Sequence, residues 1–346
     1  MTAPAPREDG SSADWERLPD LASRRVGGSV PWANDEAFAE RENLIRPTEP
    51  VFQPHTFGHR GQIYDGWETR RRREPGEDQV IIRLGLPGLI RGVVVDTSFF
   101  TGNYPPFASV EACAVDDYPS PEELSGWETL IPRSTLLGDR RNCFEVSQQR
   151  RYTHVRLTIH PDGGVARLRV HGHPLPDPTL LDLDSMDLAA LENGARIFGC
   201  SNMFYSAPAN LISPGLAATM GDGWETARRR DDGNDWVIVQ LAGRGTIRLA
   251  ELDTSHFKGN APGWAALSAS DTRVAEPDEE GAWFELLPRV RLQPDTRHRF
   301  PLPDANPATH IRLDIFPDGG MARLRLHGAL TDDGRESLIR RWLDLR

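Results

Sequence analysis

The segment DGWETRRRRE, from Asp65 to Glu74, concentrates side chains that could perform chemistry on a small molecule. It holds two acids in its first half, Asp65 and Glu68, together with an indole and four consecutive arginines. A positioned carboxyl group can transfer a proton, and an arginine guanidinium binds a carboxylate through two parallel hydrogen bonds. The composition of this segment therefore favours a small-anion site in which acids and arginines balance.

The same string returns as DGWETARRRD, beginning at Asp222, and other segments recur in the same order. DTSFFTGNYPP begins at Asp96 and DTSHFKGNAPG at Asp253, and a PDGG sequence follows late in each copy. A repeat of this length is far longer than the unit of a solenoid. The chain is therefore predicted to consist of two tandem copies of one domain.

Composition limits the classes of partner. The 346 residues include 51 acids and 40 bases, and the net charge of -11 opposes binding to nucleic acid or to anionic membranes. The three cysteines stand far apart without metal-ligand spacing, and the polar N-terminus lacks an apolar run of signal-peptide length. These features predict a cytoplasmic protein without nucleic-acid or membrane partners.

Each copy is read as an all-β domain. Short segments rich in β-branched and aliphatic residues alternate with turn residues, and in Thr153–His160 the residues Val155, Leu157 and Ile159 face inward. This pattern predicts two tandem jelly-roll β-sandwich domains with short flanking helices. The predicted strands of the first copy are Gln79–Leu84, Leu89–Val95, Ser109–Val115, Trp127–Ile131, Thr153–His160 and Val165–His171.

The predicted boundaries are a flexible tail over residues 1–19, repeat one over 20–177, repeat two over 178–330 and a C-terminal helix over 331–346. A short helix before each sandwich is expected to be capped by Asp20 in one copy and by Ser185 or Asp184 in the other, and to end at Gly27 or Gly194. About ten extra residues of copy one are expected within or near Gln53–Tyr64.

The C-terminal helix is predicted to place four apolar residues on one face. These residues are Leu338, Ile339, Trp342 and Leu343. We expect this face to dock on the body of the protein or on a neighbouring subunit, as in a homo-oligomer.

Three strings together, DGWETRRRR, VVVDTSFFTGNYPP and the PDGG hairpin, resemble the allantoicase family from about residue 20 to residue 330. Each copy is also similar to the wider group of galactose-binding-like sandwiches. The resemblance implies hydrolysis of allantoate to ureidoglycolate and urea in allantoin and purine breakdown, by an enzyme that forms oligomers. The second copy departs from the family pattern at two places, which are Asn202, where an aspartate is usual, and the segment after Trp264. The second copy therefore fits the family less well than the first.

The implied reaction assigns roles to these side chains. The substrate carboxylate requires arginine, its ureido groups require acceptors and donors, and the departing urea nitrogen requires a proton. Two carboxyl groups in different environments could divide the acid and base roles. The predicted catalytic residues are Asp65, Glu68 and Asp96, and the predicted substrate-binding residues are Arg70, Arg72, Ser98, Asn103, Asp222, Glu225, Arg229, Asp253 and Asn260.

Other readings of the same residues remain open. Asp65-Gly66 could form only a turn, individual arginines could be solvated or paired with acids, and His160 could be a satisfied surface histidine. The fold alone also allows a non-catalytic tandem module that binds carbohydrate or another ligand. No metal or other cofactor is demanded, although acids of the two copies could hold a divalent cation.

Overall fold

A computed structural model describes residues 14–59, 61–181, 184–302 and 306–346. The chain divides into two compact units, with the boundary in the sequence between Leu175 and Pro176. Both units consist mostly of β-strands, which confirms the predicted all-β fold. Within the described ranges, no helix is long and apolar enough to cross a membrane.

The described residues of the first unit form eleven strands, some of only two residues. They are β1 Ser29–Ala33, β2 Phe57–Gly58, β3 Gly61–Gln62, β4 Trp67–Glu68, β5 Asp78–Asp96, β6 Phe107–Cys113, β7 Glu128–Thr135, β8 Arg141–Glu145, β9 Arg151–His160, β10 Gly164–Val165 and β11 Arg167–Pro174. Short 3-10 helices cover Asp14–Arg17, Arg24–Val26, Arg41–Ile45, Pro121–Glu123 and Pro178–Leu181, the last belonging to the second unit.

The long strand β5 joins the layers of the first sandwich. Its first half pairs with β1 and β9, and its second half pairs with β8 and β11, with an irregularity after Arg83. The sheet continues from β9 to β6 and β7. The two separate strands predicted over 79–84 and 89–95 are therefore one continuous strand, because the irregularity shifts the pairing register without ending the strand.

The second unit repeats this arrangement. Its strands are β12 Met186–Asp187, β13 Arg196–Cys200, β14 Trp224–Glu225, β15 Asp235–Asp253, β16 Trp264–Ser270, β17 Trp283–Arg291, β18 Arg297–Pro301, β19 Ala308–Phe316, β20 Gly320–Met321 and β21 Arg323–Leu330. Its 3-10 helices cover Leu191–Asn193, Pro208–Ile212 and Met220–Asp222, and the α-helix α1 covers Asp332–Leu345. The 19-residue strand β15 corresponds to β5 and pairs with β13, β18, β19 and β21.

The core lies between the layers of each sandwich. Val155, Leu157 and Ile159 are fully buried, as their alternation predicts. His154 and Thr158 on the opposite face are also buried, so this part of the sheet is covered on both sides. His154 Nδ1 lies 2.9 Å from the Thr153 hydroxyl, so the buried ring has a polar partner.

The PDGG hairpin requires glycine for two separate reasons. Gly163 has φ 141°, which lies in the region that side-chain-bearing residues avoid. A Cβ atom on Gly163 would also lie 2.7 Å from the Asn103 carbonyl oxygen. In the second copy Gly319 has φ 129° and a similar clash at Asn260. The hairpin thus presses against the loop that carries the DTSxxxGN asparagine.

Helix ends agree with the prediction only at their C-termini. Gly27 and Gly194 end their 3-10 helices with φ 94° and 97°. The N-caps were wrongly assigned, because Ser23 and Ala190 occupy them. Asp20 instead accepts backbone bonds from Ala22 and Val170, so it ties the entering chain to β11.

The structure describes part of the predicted tail and part of the predicted insertion. Residues 1–13 of the tail predicted over 1–19 lie outside the described residues. Asp14–Arg17 form a 3-10 helix, and the Trp15 ring lies 5.7 Å from the His171 ring. In the predicted insertion, β2 and β3 form a short hairpin.

The apolar face of α1 is split between two environments. Trp342 is buried, and Leu338 lies close to Gly243 of β15. Ile339 and Leu343 are exposed. The predicted face is therefore half buried and half exposed.

Candidate functional site

Backbone pairing places the DGWET segment against the PDGG hairpin. Strand β4 pairs with β10, so that Glu68 lies opposite Gly164 and Trp67 opposite Val165. Trp67 is fully buried and donates its indole N–H to the Asp35 carbonyl at 2.7 Å. Trp67 therefore anchors the segment in the core, while the next side chain points to the site.

The DTSxxxGN loop packs on the same hairpin. The Gly164 N–H donates to the Asn103 carbonyl at 2.8 Å, and the Phe100 ring lies where any Gly164 side chain would stand. These contacts bring the Asn103 amide to Glu68, and its Nδ2 donates to Glu68 Oε1 at 2.7 Å. Two of the predicted residues, Glu68 and Asn103, therefore form one pair.

The surroundings of Glu68 favour its protonated form. Burial raises the pKa of the Glu68 carboxyl, and the bond from Asn103 opposes that rise only in part. The side chain is nevertheless partly exposed, so a small molecule can reach it. A carboxyl group of this kind is suited to donate a proton.

Asp65 stands in the opposite situation. Burial alone would raise the pKa of the Asp65 carboxyl, but the bonds from Arg167 and from the Val51 N–H hold that pKa below its usual value. Arg167 is fully buried and donates to Asp65 Oδ2 at 2.7 Å, and Arg46 donates to Oδ1 at 3.1 Å. Asp65 is thus an ionised anchor for its loop, and its hydrogen bonds run to different partners from those of Glu68.

The two predicted arginines differ in how much of the guanidinium remains available. Arg72 donates from Nε and Nη2 to one oxygen of the buried Asp78, at 2.9 and 2.6 Å. Arg70 donates from Nε to Asp35 at 2.7 Å, and its side chain is 73% exposed. Within the described part of the chain, no partner is seen for the terminal nitrogens of Arg70. Arg70 can therefore receive an anion, whereas Arg72 mainly neutralises Asp78.

Asp96 and Ser98 form a local turn at the end of β5. Asp96 Oδ1 accepts from the Ser98 N–H at 2.8 Å and from its hydroxyl at 2.6 Å. Asp96 is only 3% exposed. This pair shapes the start of the DTSxxxGN loop.

The second copy reproduces most of these contacts. Asn260 donates to Glu225 at 2.5 Å, Arg229 pairs with the buried Asp235 at 3.0 Å, and Asp253 accepts from the Ser255 N–H at 2.8 Å. Asp222 accepts from the backbone of Ala218 and Thr219, where it caps a 3-10 helix. The general frame of the site is therefore present twice.

One ion pair is present in the first copy and missing from the second. Ala227 occupies the position of Arg70, and Asn202 occupies the position of Asp35. Asn202 still accepts the equivalent backbone bond, from the Ala227 N–H at 3.1 Å. The backbone role is kept while the exposed guanidinium is lost, which distinguishes the two copies chemically.

Among the described residues, no group of three or more histidines, cysteines, aspartates or glutamates is arranged to hold a metal ion. The geometry of the described residues therefore does not support the divalent-cation site that acids of the two copies could form.

Comparison with known proteins shows the family of the chain. The family model named allantoicase repeat matches twice, over residues 19–175 and 186–331. The chain belongs to the allantoicase family. A probable allantoicase of Nocardia farcinica is 59% identical to this chain, and the match covers 90% of this chain and 94% of that protein. A probable allantoicase of Streptomyces coelicolor is 50% identical, with coverage of 98% of this chain and 93% of that protein.

Solved structures of the allantoicase family agree with the fold. The crystal structure of allantoicase from Saccharomyces cerevisiae matches this chain with a TM-score of 0.76 and 33% sequence identity. The match covers 90% of this chain and 93% of the yeast chain. A second allantoicase structure gives the same TM-score at 34% identity. The two tandem sandwiches are therefore those of this family.

Sequence reasoning missed three residues that organise this candidate site. Asp35 holds Arg70, Arg167 holds Asp65, and Asp162 accepts from the Arg72 N–H at 2.6 Å. A signal for Arg167 was available, because Arg323 occupies the same place in the second copy and bonds the Asp222 carbonyl. Asp35 also had a signal, because its counterpart is Asn202, the position at which an aspartate is usual in the family pattern.

Proposed function

We propose that this protein is an allantoicase, which hydrolyses allantoate to ureidoglycolate and urea in purine degradation. The observation that carries the activity is the 59% identity to a probable allantoicase over nearly the whole chain. The small-molecule substrate agrees with a site that combines one protonatable carboxyl group with one available guanidinium.

Glu68 is assigned as the proton donor. Its carboxyl group gives a proton to the ureido nitrogen that leaves, and the lone pair of the remaining ureido nitrogen expels urea from the central carbon. The Glu68 carboxylate then takes a proton from the water that adds to that carbon, which restores the acid. The raised pKa of Glu68 and the bond from Asn103 support this cycle.

Asp65 and Asp96 are assigned positioning roles in place of direct proton transfer. Three donors already occupy the Asp65 carboxylate, and Asp96 is buried and bonded to Ser98. Each holds one of the two loops that bring Glu68 and Asn103 together.

Substrate binding is assigned to Arg70 and Asn103. The terminal nitrogens of Arg70 would hold the allantoate carboxylate, and Asn103 Oδ1 would accept from a ureido N–H. Ala227 cannot perform the first task in the second copy. The first copy is therefore proposed as the principal catalytic site, with Glu225, Asn260 and their neighbours forming a weaker one.

Release of urea from allantoate by purified protein tests the activity directly. Glu68→Gln should lower kcat by roughly 10² or more, because the amide cannot titrate. Glu225→Gln, the matched change in the second copy, should have a smaller effect. Binding of allantoate without urea release would favour the non-catalytic ligand-binding module, and a larger loss in Glu225→Gln would place the principal site in the second copy.

We also propose a cytoplasmic, homo-oligomeric protein. Three free cysteines, Cys113, Cys143 and Cys200, fit a reducing compartment. The exposed Ile339 and Leu343 on α1 fit a contact with a second copy of the chain.

A further inference from the structure

A second cluster of reactive side chains lies on the first unit, beyond the Glu68 site. Strand β9 runs between β5 and β6, and its last residue is His160. Ser109 of β6 lies on one side of this histidine, with Oγ 3.2 Å from Nε2. Glu77, immediately before β5, lies on the other side, with Oε2 2.9 Å from Nδ1. The three side chains therefore form a continuous chain from β6 through the end of β9 to the residue that precedes β5.

The hydrogen bonds select one tautomer of the histidine. A carboxylate only accepts, so Nδ1 must carry the proton that bonds Glu77. Nε2 is then an acceptor directed at the Ser109 hydroxyl. Burial, opposed by Glu77 and reinforced by Arg133, lowers the pKa of His160, which keeps the ring neutral near pH 7. A neutral ring in this tautomer can remove the serine proton.

The carboxylate itself is held in place. Gln79 donates from Nε2 to Glu77 Oε1 at 3.0 Å, which leaves Oε2 for the histidine. The imidazole is only 13% exposed, so its orientation is restricted, while Ser109 remains partly exposed. A hydroxyl, a base and a group that orients the base are the three parts of an activated nucleophile.

A cation lies beside the cluster. The Arg133 guanidinium stacks 4.7 Å above the ring of Phe107, and Phe107 is the residue paired with His160 across β6 and β9. A positive group at this position can stabilise negative charge that develops on an oxygen near Ser109.

The second copy has lost all three members together. Ala266, Phe316 and Asn234 occupy the positions of Ser109, His160 and Glu77. Arg289, which corresponds to Arg133, lies 4.1 Å above the Phe316 ring and 5.6 Å from the centre of the Trp264 ring. The sandwich and its PDGG hairpin therefore form without this network, so the fold as such does not require it.

From this geometry we propose that Ser109, His160 and Glu77 constitute a second hydrolytic site, in which Ser109 is the nucleophile toward small carboxylic esters. Ser109 Oγ bonds to the acyl carbon while its proton passes to His160 Nε2, and the departing alkoxide takes that proton. Water then attacks the acyl group by the same route, releases the carboxylic acid and returns the proton to Ser109.

A fluorophosphonate probe tests the nucleophile on the full chain. Ser109 Oγ would bond to phosphorus with loss of fluoride, and mass spectrometry would locate the label on the peptide that contains residue 109. Ser109→Ala should abolish the label, whereas Ser147→Ala, which removes another exposed serine of the same unit, should leave it unchanged. A wild-type protein that takes no label, or a label located elsewhere, would overturn the proposal.

The base and its orienting group are tested by rate. His160→Phe, the residue of the second copy, should slow labelling by about 10² or more, and Glu77→Gln should slow it by about tenfold. Thermal melting identifies the variants that are folded. If His160→Phe is not folded, Glu77→Gln decides the matter, and an unchanged labelling rate in either folded variant contradicts activation of Ser109.

Hydrolysis of p-nitrophenyl acetate provides a second readout. Wild type should release p-nitrophenol faster than Ser109→Ala, and equal rates in the two proteins would oppose turnover at this site. Neither assay uses allantoate, so this proposal and the allantoicase assignment can fail separately.

Discussion

Replacing Arg70 with alanine separates the stability of the first copy from its ability to bind substrate. The change gives the first copy the residue that the second copy carries at Ala227. The Asp35 carboxylate keeps its bonds from two backbone N–H groups, those of Ala37 and residue 70. We expect the protein to stay folded while its KM for allantoate rises.

The size of each effect follows from exposure and charge. The Arg70 side chain is 73% exposed, and exposed ion pairs contribute at most about 1 kcal/mol to stability. A hydrogen bond to a charged partner contributes about 1.5 to 3 kcal/mol, and each 1.4 kcal/mol changes an affinity about tenfold. KM should therefore rise by about ten- to a hundredfold, with a much smaller change in kcat and a small change in melting temperature.

Urea release at varied allantoate concentrations measures KM, and chemical denaturation measures stability. Arg24→Ala is a matched control, since Arg24 is another exposed arginine of the first copy, paired with Glu42. Asp35→Asn should raise KM less than Arg70→Ala, and the double variant should match Arg70→Ala because Asp35 acts through Arg70. A wild-type KM in Arg70→Ala would refute the assignment of the substrate carboxylate to this residue.

Three further changes probe the proton donor, the hairpin and the C-terminal helix. The pKa of Glu68 is raised in the folded state, so its contribution to stability is complete at acid pH and is lost as pH rises through that pKa. Glu68→Gln should therefore melt higher than wild type near pH 8 and should lose this advantage near pH 4, and equal melting temperatures at both pH values would contradict the burial argument. Gly163→Val should lower the unfolding free energy by about 2 kcal/mol or more, because the φ of 141° at Gly163 and the nearby Asn103 oxygen exclude a branched side chain. An unchanged denaturation midpoint would contradict this interpretation of the turn. Truncation after Gly334 removes the buried Trp342 and the exposed apolar pair of α1, and should lower either the oligomeric mass in light scattering or the solubility; retention of both would exclude α1 from assembly.

The sequence by itself determined the duplication, the strand-rich class and the family. Repeated strings identified two copies without any coordinates, and the alternation of Val155, Leu157 and Ile159 identified a strand with a buried face. The sequence also predicted Gly27 as a helix end and Gly163 as part of a turn, because positive φ is costly for other residue types. These properties depend on local backbone geometry and on side-chain periodicity, which the order of residues contains.

The tertiary structure decided which acids are paired and which one can hold a proton. Asp65 and Glu68 are three positions apart, yet Asp65 pairs with Arg167, 102 residues away, and Glu68 pairs with Asn103, 35 residues away. One pKa falls and the other rises because the packing of the PDGG hairpin determines which partners reach each carboxyl group. Charge state depends on burial and on partners brought from distant strands, and neither is encoded in the spacing of a motif.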